Sequence, residues 1–182
     1  MPPMPTSRPR GLAAAALALA LVAAAPGSAA AEPDPPFAIG GRPVWFVMGG
    51  AEGGASLSDG RSGFAGGELS LVRLDEGRFA GVYGGALRDF GDDSTLVSAG
   101  PELGLHLRRA RTLPLSLAVD GGPAVELGEE TRWGGVARLS ITVFGTLSIY
   151  ARGGLLDGDP LAQVGLALKF PLFSPMGGGS QP

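Results

Sequence analysis

The chain offers few side chains for acid–base or metal chemistry. His106 is the single histidine among 182 residues, and cysteine is absent. A transition-metal site here would need carboxylates alone, and no spacing of acidic residues indicates one. The lack of cysteine also excludes disulfides and a cysteine nucleophile. His106 could act as a general base, but a histidine that lies in the lumen with its hydrogen bonds satisfied is the better interpretation. We therefore predict no catalytic, cofactor-binding or metal-binding residues.

Two glycine-rich patterns could be mistaken for ligand sites. The segment 49–54 has no Lys-Ser or Lys-Thr pair after it and opens no helix, so it predicts a loop and not a phosphate-binding cradle. The pair Gly100-Pro101 is echoed by Gly122-Pro123. A duplicated site is one interpretation. The favoured one is a pair of strand bends, in which each proline removes one ladder hydrogen bond.

Composition and charge narrow the class of protein. With 14 Lys and Arg against 17 Asp and Glu, the formal net charge is -3, which excludes a basic nucleic-acid binder. Hydrophobic residues make up 45% of the chain, so wholesale disorder is excluded as well. The length is suited to one ordinary domain.

The first 31 residues have the pattern of a secretory signal peptide. Arg8 and Arg10 precede an apolar run over 11–25, and small residues at 29–31 supply a cleavage site. The run is about 15 residues long, shorter than the roughly 20 that a transmembrane helix needs, although a retained anchor is the alternative. The sequence thus predicts export of the mature chain, which begins with a proline-rich, extended lead-in over 32–41.

Beyond the lead-in, apolar and polar residues alternate with period two. In 113–120, for example, Leu113, Leu115, Leu117 and Val119 share one face. Turn signals divide the chain into about eight strands, long enough for tilted membrane-spanning strands. The tetrapeptide 120–123 is a competing turn signal, but the alternation continues across it, so one strand is kept there. The predicted strands are 43–51, 64–74, 78–89, 95–108, 112–127, 132–143, 146–155 and 161–170.

Alternation alone does not say which face of each strand contacts water. A soluble carrier barrel has apolar residues inside and polar residues outside, whereas a membrane barrel has the reverse. Aromatic residues favour the membrane barrel, since they fall at the strand ends, where the lipid–water boundaries lie. The polar faces also carry few charges for a solvated surface. We expect one aromatic girdle from Trp45, Phe46, Phe79, Phe144, Phe170 and Phe173, and the opposite one from Phe64, Phe90 and Trp133.

By the same parity, eight charged residues should point into the barrel. A lumen this narrow is filled by side chains, so the charges should form ion pairs. Removing Glu102 or Arg138 should then lower thermal stability. Gaps left by inward glycines, such as Gly84, Gly104 and Gly165, are the alternative. The predicted inward charges are Glu68, Glu102, Asp120, Glu126, Arg88, Arg138, Arg152 and Lys169.

With these features the chain resembles the small eight-stranded outer-membrane barrels of the OmpA/OmpX type. The resemblance covers residues 42–173 and includes a closing strand, 164–173, that ends in phenylalanine. Phe173 or Phe170 would be the residue read by the assembly machinery, and 174–182 would be a flexible tail. The resemblance implies an all-β, up-and-down antiparallel transmembrane barrel in the outer membrane of a Gram-negative cell. Outer-membrane lipid and the outer-membrane assembly machinery are then its implied partners.

The resemblance also bears on function. Barrel enzymes that deacylate outer-leaflet lipid use a His-x-Ser pattern, whereas this chain has His106-Leu107-Arg108. We therefore expect a non-enzymatic protein with a structural or envelope role and a side-chain-filled lumen, and no cofactor. A narrow channel for small or apolar molecules and a soluble periplasmic lipocalin-like carrier are the alternatives. The sequence does not indicate an oligomeric state.

Overall fold

The computed structural model describes residues 44–58, 62–75, 77–107 and 115–173. Each strand pairs antiparallel with the next, and the last strand returns to pair with the first, so the sheet closes into a barrel. The predicted all-β, up-and-down antiparallel barrel of eight strands is confirmed. The strands are β1 (Val44–Ser56), β2 (Ser62–Asp75), β3 (Arg78–Asp89), β4 (Thr95–Leu107), β5 (Leu115–Leu127), β6 (Thr131–Val143), β7 (Leu147–Leu156) and β8 (Asp159–Phe173).

The described residues contain no helix with the length and apolar composition that a membrane crossing requires. The predicted signal peptide (1–31), lead-in (32–41) and tail (174–182) lie outside the described residues and stay predictions. We call the end of the barrel where β1 begins and β8 ends the proximal end. The opposite end, which holds the β1–β2, β3–β4, β5–β6 and β7–β8 connections, is the distal end.

The prediction of a loop over 49–54 is wrong, because β1 continues through these residues to Ser56. Glycines read as turn signals in a sequence, but here they permit close packing at the seam where β1 meets β8. A Cβ atom placed on Gly54 would lie 2.1 Å from the carbonyl oxygen of Val164. Only a residue without a side chain allows this approach.

The paired Gly-Pro segments lie opposite one another on β4 and β5. The β4–β5 ladder is interrupted between the Ser98–Ala124 and Glu102–Asp120 pairs. Within this interruption, a Cβ atom on Gly100 would lie 2.0 Å from the carbonyl oxygen of Gly121. β5 nevertheless runs unbroken across its Gly-Gly-Pro sequence, so the competing turn signal does not split it.

Two short turns show how local sequence closes the hairpins. Phe144 and Gly145, between β6 and β7, have φ of 55° and 70°. Asp157 and Gly158, between β7 and β8, have φ of 48° and 94°. Two successive residues with positive φ match the right-handed twist of the flanking strands, and Asp-Gly is a favoured sequence for such turns.

The outer wall of the barrel is apolar over most of its height. Outward residues include Leu69, Leu71, Val82, Leu103, Ile149 and Leu166, all exposed. Among the strand residues whose side chains are described, three charged ones point outward. These are Arg73 and Arg78 near the proximal end and Arg88 near the distal end. Ala80, level with Arg73, and Arg88 are eight positions apart on β3. At about 3.3 Å per residue and a tilt of about 40°, the uncharged band is roughly 20 Å tall.

The aromatic prediction is correct for five residues. Trp45, Phe144 and Phe170 are exposed toward the proximal end, and Phe90 and Trp133 toward the distal end. The prediction is wrong for three others, which lie on the inward face because they share the parity of inward residues on their strands. These are Phe64, which is 3% exposed, and the partly buried Phe46 and Phe79. The side chain of Phe173 lies outside the description.

The close approach at the β1–β8 seam gives a first prediction. Gly54→Ala should lower the free energy of unfolding by about 1–3 kcal/mol, because the new methyl group meets backbone atoms that rotation cannot move away. Urea unfolding of the refolded barrel, followed by tryptophan fluorescence, measures the effect. Gly84→Ala is the matched control, since its nearest neighbour would be 3.8 Å from the new Cβ. Equal stability of the two variants would contradict the seam argument.

Candidate functional site

The lumen holds a network of charged and aromatic side chains to which every strand contributes. Carboxylates come from β1, β2, β4 and β5, cations from β6, β7 and β8, and tyrosines from β3 and β7. All of these residues are buried. In chain order they are Glu52, Glu68, Tyr83, Glu102, Asp120, Arg138, Tyr150, Arg152 and Lys169.

Arg138 is the centre of this lumenal network. Its Nε atom donates to Asp120 Oδ2 over 2.8 Å, and its Nη1 atom donates to Glu68 Oε2 over 2.5 Å and to Glu52 Oε2 over 3.2 Å. Asp120 is its cross-strand neighbour, whereas Glu52 and Glu68 reach it from across the barrel. The rings of Tyr83 and Tyr150 face the guanidinium with centroids at 5.5 and 5.3 Å. One side chain thus connects five strands besides its own.

Arg152 lies beside Arg138 in register, and Glu52 forms an ion pair with each of them. The Nη2 atom of Arg152 donates to Glu52 Oε2 over 3.2 Å, and its Nη1 atom donates to Gln163 Oε1 over 3.3 Å. The Tyr150 ring centroid lies 5.4 Å from the Arg152 guanidinium carbon, which adds a cation–π contact. A shared carboxylate is what allows two arginines to be adjacent in a buried site.

Lys169 completes the lumenal network from β8. Its Nζ atom donates to Glu102 Oε1 over 3.0 Å and forms an ion pair with Glu68. The network as a whole contains four carboxylates and three cations. Two carboxylate oxygens of the network, Glu102 Oε2 and Asp120 Oδ1, are buried without a hydrogen-bond partner in the described residues, as is Arg138 Nη2. The cations are therefore the scarcer component, and each of them serves more than one carboxylate or amide.

Toward the distal end the lumen becomes apolar and then polar again. Phe64, Leu87, Leu96, Val136 and Leu156 form a buried cluster above the lumenal network. Beyond this cluster, Glu126 accepts hydrogen bonds from Arg132 Nε (2.7 Å) and Ser94 Oγ (2.7 Å). A cavity of about 20 Å³ is present at this distal mouth, room for about one water molecule.

Inward glycines do not leave empty gaps at the positions where the sequence predicts them. A Cβ atom on Gly104 would lie 2.1 Å from the Phe79 ring, and one on Gly165 would lie 2.8 Å from the Tyr150 ring. Aromatic rings thus cover these glycines, an arrangement known to stabilise glycines in strands. Gly84, the third predicted gap, has the parity of the outer wall, because its neighbours Tyr83 and Gly85 point inward.

His106 points inward near the proximal end, as predicted, but the expected hydrogen bonding of its ring is incomplete. Its ring packs at 5.5 Å from the Phe79 ring, and its Nε2 atom is buried without a hydrogen-bond partner in the described residues. Ser116 is its register partner, yet no hydrogen bond joins the two side chains. In the described part of the chain, no group of three or more His, Cys, Asp or Glu side chains could hold a metal ion.

Seven of the eight predicted inward charges are buried in the lumen. Arg88 is the exception: Leu87 is buried on the inward face, so Arg88 points outward, is 45% exposed and pairs with the exposed Asp93. The charged residue of the lumenal network that the prediction missed is Glu52, which it placed in a loop. The sequence signal that could have revealed it is the two-residue alternation of β1, which, continued from Phe46, places Glu52 on the inward face. Tyr83, Tyr150 and Gln163 were missed because neutral side chains carry no charge pattern.

Comparisons with known proteins support the fold. No protein-family model matches the chain, and no curated protein matches it. Among solved structures, it is similar to the crystal structure of Neisserial surface protein A, with a TM-score of 0.50 and 11% identity. The match covers 71% of this chain and 97% of that one. At this identity the likeness concerns the eight-stranded barrel fold alone.

The scarcity of cations in the lumenal network gives a second prediction. Arg138→Ala should lower the free energy of unfolding by about 3–5 kcal/mol, because it leaves buried carboxylates without their cation. Urea unfolding followed by tryptophan fluorescence measures this loss, which should be among the largest for any single charge.

Two variants serve as controls for Arg138→Ala. Arg88→Ala removes an exposed ion pair and should cost about 0–1 kcal/mol. Glu102→Gln leaves three carboxylates facing three cations, so it should cost less than Arg138→Ala. The network would not be structural if Arg138→Ala and Arg88→Ala were equally mild.

Proposed function

We propose that the chain is an integral outer-membrane barrel protein with a structural or envelope role and no catalytic activity. In this proposal the predicted signal peptide directs export, outer-membrane lipid surrounds the wall, and the outer-membrane assembly machinery inserts the barrel. The proximal end then faces the periplasm, and the distal end faces the outside of a Gram-negative cell.

The distribution of charge between wall and lumen is the observation that carries the proposal. The wall is uncharged over roughly 20 Å, close to the apolar band of about 25 Å typical of outer-membrane barrels. Exposed aromatic residues flank this band at both ends. Ionic side chains are gathered inside. A surface this apolar is unfavourable in water but suited to hydrocarbon.

The same distribution argues against a soluble lipocalin-like carrier. Such a carrier holds an apolar ligand in an apolar lumen and presents a polar wall to water. Here Glu68, Asp120 and Arg138 occupy the middle of the lumen, while Leu103 and Leu166 are exposed on the wall. The two faces are thus inverted relative to those of a carrier.

The contacts inside the lumen favour a barrel without an open channel over a narrow conduit. The lumenal network reaches across the barrel axis, and the apolar cluster of Phe64, Leu87 and Leu156 lies above it. Phe79 and Tyr150 also cover inward glycines that could have made room for a solute. His106, packed against Phe79 without a polar partner at Nε2, supports a non-enzymatic role.

Planar-bilayer recording provides the test that separates a closed barrel from a conduit. The purified mature protein, shown to be folded by a shift in gel mobility on boiling, should insert and give no reproducible conductance steps. Arg138→Ala in the same preparation serves as a comparison, because it opens the lumenal network. Regular conductance steps from the unaltered protein would favour the conduit. Release of the protein from membranes by carbonate would favour the carrier.

A further inference from the structure

Glu102 of β4 and Asp120 of β5 are cross-strand neighbours on the inward face of the barrel. Their residues are only 3% and 2% exposed. Facing side chains of an antiparallel pair have Cβ atoms about 5 Å apart, so the two carboxyl groups are within reach of each other. Two acidic side chains therefore lie side by side where almost no solvent reaches them.

Each of these two carboxyl groups has one oxygen that contacts a cation and one that does not. Glu102 Oε1 accepts from Lys169 Nζ over 3.0 Å, and Asp120 Oδ2 accepts from Arg138 Nε over 2.8 Å. Their second oxygens, Glu102 Oε2 and Asp120 Oδ1, are buried and have no hydrogen-bond partner in the described residues. The two oxygens that lack a partner thus belong to neighbouring side chains.

The other two carboxylates of the lumenal network differ from this pair. Glu52 Oε2 accepts from both Arg138 and Arg152, and Glu52 Oε1 accepts from Arg152 as well. Glu68 Oε2 accepts from Arg138, and Glu68 Oε1 forms an ion pair with Lys169. Because all four of these oxygens contact a cation, the negative charge that the three cations leave unbalanced is located at the neighbouring carboxyl groups of β4 and β5.

We propose that Glu102 and Asp120, here called the carboxyl pair, bind one proton between them at neutral pH. The O–H group of one carboxyl donates to the other, so Glu102 Oε2 and Asp120 Oδ1 become each other's partner. Two buried carboxyl groups in contact do not readily ionise together, because like charges repel strongly at low dielectric. With the proton bound, three negative charges face three cations.

Charged and titratable side chains face the carboxyl pair from the other strands. The cations among them favour ionisation of the pair, whereas the two carboxylates favour the bound proton. His106, on the same strand as Glu102, lies two inward positions nearer the proximal end. The groups from the other strands are Glu52 of β1, Glu68 of β2, Tyr83 of β3, Arg138 of β6, Tyr150 and Arg152 of β7, and Lys169 of β8.

Infrared spectroscopy of the folded protein in detergent tests for the proton directly. A protonated carboxyl group has a C=O stretching band that is separate from the amide and carboxylate bands. The unaltered protein should show this band at neutral pH, and Glu102→Gln should lose it. Glu126→Gln is the matched control and should keep the band, because Glu126 is also buried but both its oxygens are bonded, to Ser94 and Arg132.

Urea unfolding as a function of pH measures the same proton through its effect on stability. In the unfolded chain both carboxyl groups ionise above about pH 4, so the unaltered protein takes up one proton when it folds at neutral pH. Stability therefore falls as pH rises. The folded-to-unfolded ratio of the unaltered protein, divided by that of Glu102→Gln, should drop about tenfold per pH unit from about pH 5 to about pH 7. Groups present in both proteins cancel in this comparison.

Three results would overturn the proposal. The first is a neutral-pH spectrum of the unaltered protein without the band, as expected if both groups are ionised and a water molecule bridges them to Arg138 Nη2. The second is a band that Glu102→Gln retains, and the third is a stability ratio that does not change with pH. Asp120→Asn takes the place of Glu102→Gln if that variant does not fold. Because both measurements are made in detergent, their outcome is independent of whether the barrel inserts into a membrane.

Discussion

The barrel depends on the requirement that buried charges be paired. Arg138 is 2% exposed and contacts Asp120, Glu68 and Glu52, which come from three different strands. A closed eight-stranded sheet brings these strands around one narrow lumen, where removing either partner of an ion pair leaves a costly bare charge. The pairing therefore fixes which face of each strand points inward. Once that face is fixed, alternation places the leucines, isoleucines and valines on the outside.

Glycine and aromatic residues make this arrangement possible within a narrow cylinder. Gly54 and Gly100 allow adjacent strands to approach closely, and the rings of Phe79 and Tyr150 occupy the space above Gly104 and Gly165. Tyr150 has a second role, because its ring also faces the guanidinium groups of Arg138 and Arg152. Packing and electrostatics thus meet in the same side chains, so the lumen behaves as a core in which ion pairs replace much of the usual apolar contact.

Much of the fold and of the lumenal network could be predicted from the sequence, because the alternation of inward and outward residues along a strand is visible residue by residue. It predicted the number of strands and the inward position of Arg138, Arg152 and Lys169. It failed where glycine hides the alternation: 49–54 resembles a loop, so Glu52 was missed. Parity also fails to reveal which strands face one another across the lumen. The pairing of Glu52 with Arg138 joins residues 86 positions apart and becomes visible only when the barrel closes.

The inverted arrangement of an apolar wall and an ionic lumen can be tested by measuring which face of a strand meets lipid. Because the chain contains no cysteine, single cysteines at Leu166, Ala167 and Leu168 of β8 can each carry a nitroxide label in the bilayer-reconstituted protein. Electron paramagnetic resonance then compares collisions with oxygen, which concentrates in hydrocarbon, and with a water-soluble nickel complex. We expect high oxygen collision rates at Leu166 and Leu168 and low rates of both kinds at Ala167. High oxygen collision at Ala167, with the nickel complex reaching Leu166 and Leu168, would contradict it.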